Sequence, residues 1–428
     1  MNNMVLLCAI ILLVLLFLKV PVYISVLSAS AVYFLGTMGA NSPIFAQKVI
    51  SGTEGLSLLA IPFFVCAGIF MNYTGVTKRI MNCCEVLTAR MPGGLAQVNV
   101  LLSTLMGGLS GSSLADAAMQ CKMLVPTMEK KGYSKPFATV ITAASGMVVP
   151  LIPPGVGLII YGCINNISIG KLFIAGIGPG IVLCVTLMIF VHFLSKKRGY
   201  KPIRTDKITV SEKIAAIKPA FFPLLLPIII IGGVRIGIFT ASEAGTVAIV
   251  YALILGLFYR ELNFKNICAG CKETVTTTAS IMLIVAAASA FSWILTKEQI
   301  PQQFSAWMIA SIHNKYVFLI MVNVFLLFVG MFIEGNASMI VLAPLLAPVA
   351  AAYGINDVHF AMIYIFNCTI GAFTPPMGTL MFVTCGITKC RTKDFIKEAV
   401  PFYVLFAVDI VVLTYIPQLT TFLVDIFY

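Results

Sequence analysis

The chain has 428 residues, of which 60% are hydrophobic and only 10% charged. Soluble domains carry roughly a quarter charged residues, so a soluble globular protein is excluded. The net charge of +12 falls in short loops beside apolar runs, which marks membrane topology and argues against a nucleic-acid surface.

Apolar runs recur along the whole length, as in a polytopic helical membrane protein. The first half predicts spans near 4–18, 21–40, 56–73, 137–160 and 172–194. The first run follows no positive charge and precedes Lys19, so it reads as a retained helix and not a cleaved signal. The stretch 78–91 is expected to lie along the membrane surface as an amphipathic connector. The apolar stretch 94–128 has a Gly/Ser-rich middle and is expected to enter and leave by one face, as a re-entrant hairpin. A basic linker over 196–218 is assigned to the cytoplasm. The second half predicts spans near 219–235, 240–259, 274–295, 359–384 and 399–427, a connector at 302–313 and a hairpin at 315–353. Five crossings per half make the halves antiparallel, an inverted repeat of 1–195 and 219–428. In that arrangement all but six of the 28 Lys and Arg reach the cytoplasmic side. The exceptions are Lys48, Lys171, Arg235, Lys297, Lys315 and Lys122. Both termini are then periplasmic.

The halves repeat one pair of motifs. Gly-Leu-Ser-Gly-Ser-Ser at 108–113 precedes Pro-Leu-Ile-Pro-Pro at 150–154, and Glu-Gly-Asn-Ala-Ser at 334–338 precedes Phe-Thr-Pro-Pro at 373–376. Helix-breaking backbone at membrane depth is tolerated only where it is buried in protein or lines a watery cavity. Glycine permits tight turns, serine donates and accepts, and proline frees a carbonyl one turn earlier. Such oxygens suit a hard cation such as Na+, and half-helix N-termini suit a substrate carboxylate. The expected sodium-binding set is Gly108, Ser110, Gly111, Ser112, Ser113 and Ser145, with Gly335, Asn336, Ser338, Thr369, Gly371, Thr374, Gly378 and Thr379 in the second half. The expected substrate set is Ser110, Ser112, Asp116, Ser145, Pro154, Glu334, Asn336 and Pro376. The bland alternative is that the small residues only let helices pack closely.

Asp116 and Glu334 are intramembrane acids and functional candidates by default, with helix capping as the structural alternative for Asp116. Glu243 is expected to complement a helix N-terminus after Thr240, and Asp409 to meet the interface or a partner helix. His192, His313 and His359 are isolated. The twelve cysteines read as apolar fillers; Cys268 and Cys271 make a lone C-x-x-C, a weak metal signal. No Walker A sequence occurs, which excludes a P-loop ATPase. Gly108-Leu-Ser110-Gly111 also matches the motif that presents a nucleophile in intramembrane serine proteases, a remote rival that needs a histidine beside Ser110. A passive channel and a proton-coupled or antiport carrier are the other rivals.

The chain resembles the large membrane (M) subunit of tripartite ATP-independent periplasmic (TRAP) transporters, the DctM-like family. The matching stretches are Leu58-Leu-Ala-Ile-Pro-Phe-Phe64, Gly93-Gly-Leu-Ala-Gln-Val-Asn99, 107–118, Ile152-Pro-Pro154 to Tyr161-Gly162, 237–245, Gly330-Met-Phe-Ile333 and Thr374-Pro-Pro376. Many relatives that carry dicarboxylates have an acid followed by proline at the second tip, where this chain has Glu334-Gly335-Asn336. The resemblance implies an elevator-type secondary transporter of the bacterial inner membrane, akin to the ion-transporter superfamily. It implies Na+-driven import of an organic acid, such as sialic acid, another sugar acid or a C4-dicarboxylate. Its implied partners are a periplasmic substrate-binding protein and a separate four-helix (Q-type) membrane subunit. It implies no covalent cofactor, no other metal and no catalytic residue, and it places Na+ between each tip and its facing broken span.

Overall fold

The computed structural model describes residues 3–18, 20–38, 43–206 and 208–428. Lys19, Lys207 and the end of the expected span 21–40 lie outside the described residues. Every regular element described is helical.

The first half runs α1 (Asn3–Phe17), α2 (Val22–Met38), α3 (Ile44–Ser51), a 3-10 turn (Leu56–Leu59) leading into α4 (Ala60–Tyr73), and α5 (Val76–Thr88). The first hairpin follows as α6 (Gly94–Ser110), α7 (Ser113–Met123) and α8 (Val125–Lys130). The broken span is α9 (Lys135–Gly146) and α10 (Val156–Asn165), and α11 (Ile169–Arg198) closes the half. The second half runs α12 (Val210–Arg235), α13 (Ala241–Phe258), α14 (Phe264–Lys297), α15 (Ile300–Ser311), hairpin arms α16 (Lys315–Phe332) and α17 (Gly335–Ala352), broken span α18 (Asp357–Phe373) and α19 (Thr379–Thr388), then α20 (Thr392–Tyr415) and α21 (Gln418–Phe427).

The differences from the sequence reading have physical reasons. The 196–218 linker is shorter than expected, because α11 runs on to Arg198 and α12 starts at Val210. A reciprocal cap starts α12 early: Glu212 N donates to Thr209 Oγ1 at 3.3 Å and Thr209 N donates to Glu212 Oε2 at 3.1 Å. α3 was not expected, since it is short and has no buried residue. Seven described helices, or eight counting the bent pair α20–α21, are long and apolar enough to cross a membrane as single helices. α1 and α2 are shorter, at 15 and 17 residues, and the broken spans fail as single helices because they are interrupted. The arms α16 and α17 reach 18 residues each.

Contacts between elements follow an exchange rule. α10 packs on α17, and α19 packs on α7. α2 packs on α14, and α13 packs on α4. α11 touches α18, and α20 touches α9. Swapping the halves therefore reproduces the packing. The register is constant too, with one interval separating Ser112 from Glu334, Ser145 from Asn367, and Pro153-Pro154 from Pro375-Pro376. Both Pro-Pro bonds are cis.

Candidate functional site

α6 stops at Ser110 because Gly111 takes the left-handed conformation (φ +62°), its N–H reaching back to the Gly107 carbonyl at 3.3 Å. A methyl group on Gly111 would stand 2.7 Å from the Pro154 carbonyl, so the tip presses on the broken span. Ser112 then caps α7, its hydroxyl accepting from Ala115 N at 3.5 Å. The second tip repeats this one interval later: Glu334 caps α17, its carboxylate accepting from Ala337 N at 3.0 Å. A neutral hydroxyl holds one helix start and a carboxylate holds the other.

The breaks in the facing spans leave oxygens free. The carbonyls of Pro150, Pro153 and Pro154 accept no hydrogen bond among the described residues, nor do those of Ala372 and Pro375. Each broken span is tied to its hairpin by a buried polar bridge at equivalent places. Ser103 Oγ donates to Ser145 Oγ at 2.9 Å, and Asn367 Nδ2 donates to Asn323 Oδ1 at 2.7 Å. The first bridge extends to Gln120, Asn99 and Thr142. The second extends through Thr414, whose carbonyl meets His359 Nε2 at 3.2 Å; the other ring nitrogen of His359 meets Thr420 Oγ1 at 2.8 Å.

Both tips open on one cavity of about 420 Å³. The first tip contributes Ser110, Gly111, Ser112 and Ser113, and the second Glu334, Gly335 and Asn336. The broken spans add Pro150, Val156, Gly157, Thr369, Ala372 and Thr379. The far wall comes from α4 and α14, with Asn72, Glu273, Thr277 and Ser280 as its polar members. Among the described residues, two carboxylates line the space and no Lys or Arg does. The volume is within the range of about 300–1,000 Å³ usual for small-molecule sites. A second cavity of about 310 Å³ lies farther along α14 and α17, with Ile340 bordering both.

Of the expected site residues, nine line the main cavity: Ser110, Gly111, Ser112, Ser113, Glu334, Gly335, Asn336, Thr369 and Thr379. The others stand behind it. Gly108 faces Pro227 of α12, where a methyl group would be 2.8 Å from its ring. Gly371 crosses Gly330 so closely that a methyl group would be 2.5 Å from the Gly330 Cα. Both serve close packing. Ser145 belongs to the polar bridge, and Ser338 bonds to Tyr364 at 3.0 Å. Thr374 and Gly378 form the second break, where Thr374 Oγ1 donates to the Ile370 carbonyl at 2.8 Å. Pro154 and Pro376 shape the breaks without lining the cavity. Asp116 is fully buried behind the first tip and accepts from Ser110 Oγ at 2.5 Å. Its second oxygen has no partner among the described residues.

The other acids are also settled. Glu243 forms a reciprocal cap with Thr240, and Asp409 accepts from Thr186 of α11 at 3.1 Å. The described cysteines are free thiols, eight of them buried. Ser110 is bonded to a carboxylate, and the two buried nitrogens of His359 are engaged elsewhere. Sequence reasoning missed the far wall. Asn72, Thr277 and Ser280 carry no Gly or Pro signal, and Glu273 stands just outside the expected span 274–295.

Residues 9–419 match the model of the family described as "Tripartite ATP-independent periplasmic transporter, DctM component". This chain belongs to the DctM family. It is 38% identical over 414 residues, 96% of each chain, to the sialic acid TRAP transporter large permease protein SiaM of Vibrio cholerae. It is 35% identical over 376 residues, 88% of each chain, to the C4-dicarboxylate TRAP transporter large permease protein DctM of Pseudomonas aeruginosa. Among solved structures, the Alcanivorax borkumensis YdaH transporter, described as having an unusual topology, aligns with a TM-score of 0.59 over 89% of both chains at 12% identity. That likeness concerns the fold. This DctM-family chain is thus a multi-pass, all-helical membrane protein whose relatives are transporter permeases.

Proposed function

We propose that the chain imports an organic acid together with Na+, by sliding the two hairpins and broken spans as one body past a frame built from α1, α2, α4, α12, α13 and α14. One observation carries the coupling. Among the described residues the cavity is lined by Glu334 and Glu273 and by no Lys or Arg, so an anionic substrate entering alone meets like charge. Bound cations remove that repulsion, and the unbonded carbonyls beside each tip are suitable ligands for a hard cation. The acid then faces the exposed amides at the start of α7. Relatives named for sialic acid and for C4-dicarboxylate support an organic acid as cargo.

In this reading a periplasmic binding protein delivers the acid and a small membrane subunit completes the complex in the bacterial inner membrane. The cavity's polar wall descends toward the end of α4, next to Lys78 and Arg79 of α5, and toward the start of α14, which carries Lys265 and Lys272. By charge bias that is the cytoplasmic face, with both termini opposite it. The test is uptake of labelled sialic acid and succinate by proteoliposomes holding the complete complex. Uptake of one of them is expected in Na+ and lost in K+. Equal rates in K+ alone would overturn the coupling, and a requirement for an inward proton gradient would replace Na+ with H+.

A further inference from the structure

On the face that charge bias assigns to the cytoplasm, three loops of the hairpin body are joined into one basic plate. They are the turn from α8 to α9, the end of α11 with the linker after it, and the turn from α19 to α20. Tyr200 of the linker stacks on Tyr133 of the first turn, 4.3 Å between ring centroids, and its carbonyl accepts from Gly93 N at 3.1 Å. Arg204 N donates to the Ala89 carbonyl at 3.0 Å. Arg198 lies over the Phe137 ring at 5.2 Å and pairs with Glu398 of α20. Lys130 and Lys131, Lys196 and Lys197, and Lys389 and Lys393 stand at the three loops. All six are exposed, and none has an ion pair among the described residues. Membrane topology asks only that such charges lie on one side, not that they be fixed in an array.

In this state the plate stands clear of the frame. Tyr259, where α13 ends, donates from its hydroxyl to the Pro219 carbonyl at 3.0 Å, which marks the frame's edge on α12. α12 begins nine residues earlier, at Val210, about 13 Å farther out. None of residues 210–219 is buried, and Glu212, Lys213 and Lys218 among them suit water and not hydrocarbon. The linker joins that outlying start to the plate. The Debye length is about 8 Å at physiological ionic strength, so anionic headgroups at the frame's edge act weakly across the gap. The two cavities are offset along α14 from Ser280 to Ser292, about 18 Å toward the opposite face. A rise of that length closes the gap.

We infer that the plate docks on anionic phospholipid headgroups of the cytoplasmic leaflet once the hairpin body rises, so that these lipids favour the raised state over the one seen here. The docking rests on the sliding motion of the proposed function and adds a partner to it. Lysine ammonium groups are compact point charges that meet phosphate without a fixed geometry. Their attraction to an anionic surface adds up residue by residue and falls off within a Debye length, so it acts at one end of the stroke alone. The contacts of Tyr200 and Arg198 tie the lysines to the starts of α6, α9 and α20. The pull is therefore exerted on the body and not on a loose loop.

The test is lysine acetylation of the purified full chain in nanodiscs of phosphatidylcholine, with and without an equal share of phosphatidylglycerol, read residue by residue by mass spectrometry. With phosphatidylglycerol, Lys131, Lys197 and Lys393 should react at least threefold more slowly. Salt at about 1 M, where the Debye length is about 3 Å, should erase the difference. Ile284→Cys with Ile340→Cys, joined by a bis-thiol linker, holds the body down. Its plate lysines should react alike in both lipids, and releasing the linker should restore the difference. Lys196→Gln/Lys197→Gln/Lys393→Gln should shrink the slowing at Lys131 and leave the melting temperature unchanged. Plate lysines that react alike in both lipids in the free protein would overturn the docking. Equal slowing in linked and free protein would overturn it too, since the plate would then meet lipid without rising. Uptake by proteoliposomes of the complete complex decides the sliding motion separately. Uptake that persists in the linked protein would remove the motion itself, whereas uptake stopped by the linker with no lipid effect would remove the docking alone.

Discussion

At the scale of single residues, Ser112 and Glu334 do the same backbone work with different charge. Each caps the second arm of its hairpin by accepting from the amide three residues on. Removing a serine cap costs about 1 kcal/mol, so Ser112→Ala should lower thermal stability modestly and impair uptake while leaving membrane insertion intact. Glu334→Gln separates two roles of that side chain. Glutamine still offers an oxygen to Ala337 N, so the melting temperature should change little. The charge is gone, so the Na+ concentration for half-maximal uptake should rise at least tenfold. An unchanged Na+ dependence would reduce Glu334 to a cap. Asp116 is a different case, because the first tip encloses it and, among the described residues, its carboxylate is bonded to Ser110 alone. Its role is to hold the turn at 110–112 in shape from behind.

At the scale of elements, the glycines of the hairpins set how closely helices approach. Gly330 and Gly371 meet backbone to backbone where α16 crosses α18. Overpacking of this kind costs about 1–3 kcal/mol, so Gly371→Ala should lower the thermal midpoint and reduce uptake. An unshifted midpoint would mean that α16 yields freely and the crossing is not rigid. Gly371 also shows what the sequence could and could not disclose. The helix breaks after α6, α9, α16 and α18 were legible, because proline and glycine interrupt apolar periodicity at matching places. The role of one glycine was not, because cation ligand and packing contact look alike in sequence. α3 was hidden because it buries nothing. The early start of α12 was written in Thr209-x-x-Glu212, a signal the polar composition of the linker masked. The far wall of the cavity went unseen because Asn72, Thr277 and Ser280 sit within unbroken helices, and only the fold sets them opposite the tips.

At the scale of the whole molecule, α14 connects the two cavities. Its residues Glu273, Thr277, Ser280 and Ile284 line the main cavity, and Ala288 and Ser292 continue the same face into the second. α17 runs beside it in the same order, with Asn336 in the main cavity, Ile340 at the border and Pro344 in the second. Thr277, Ser280, Ala288 and Ser292 keep much of that face of α14 small beside α17, with Ile284 between them. Carrying the second tip from the level of Ser280 to that of Ser292 is a shift of twelve residues, about 18 Å along the helix. If transport uses this path, fixing α17 against α14 must stop it without destroying the site. Ile284→Cys with Ile340→Cys, joined by a short reversible bis-thiol linker, should abolish uptake and leave Na+-dependent acid binding in place. Reductant should restore uptake, and the wild type with its native cysteines should be insensitive to the linker. Sustained uptake in the linked protein would mean that the cargo moves past stationary hairpins, and α14 would then be a pore wall and not a rail.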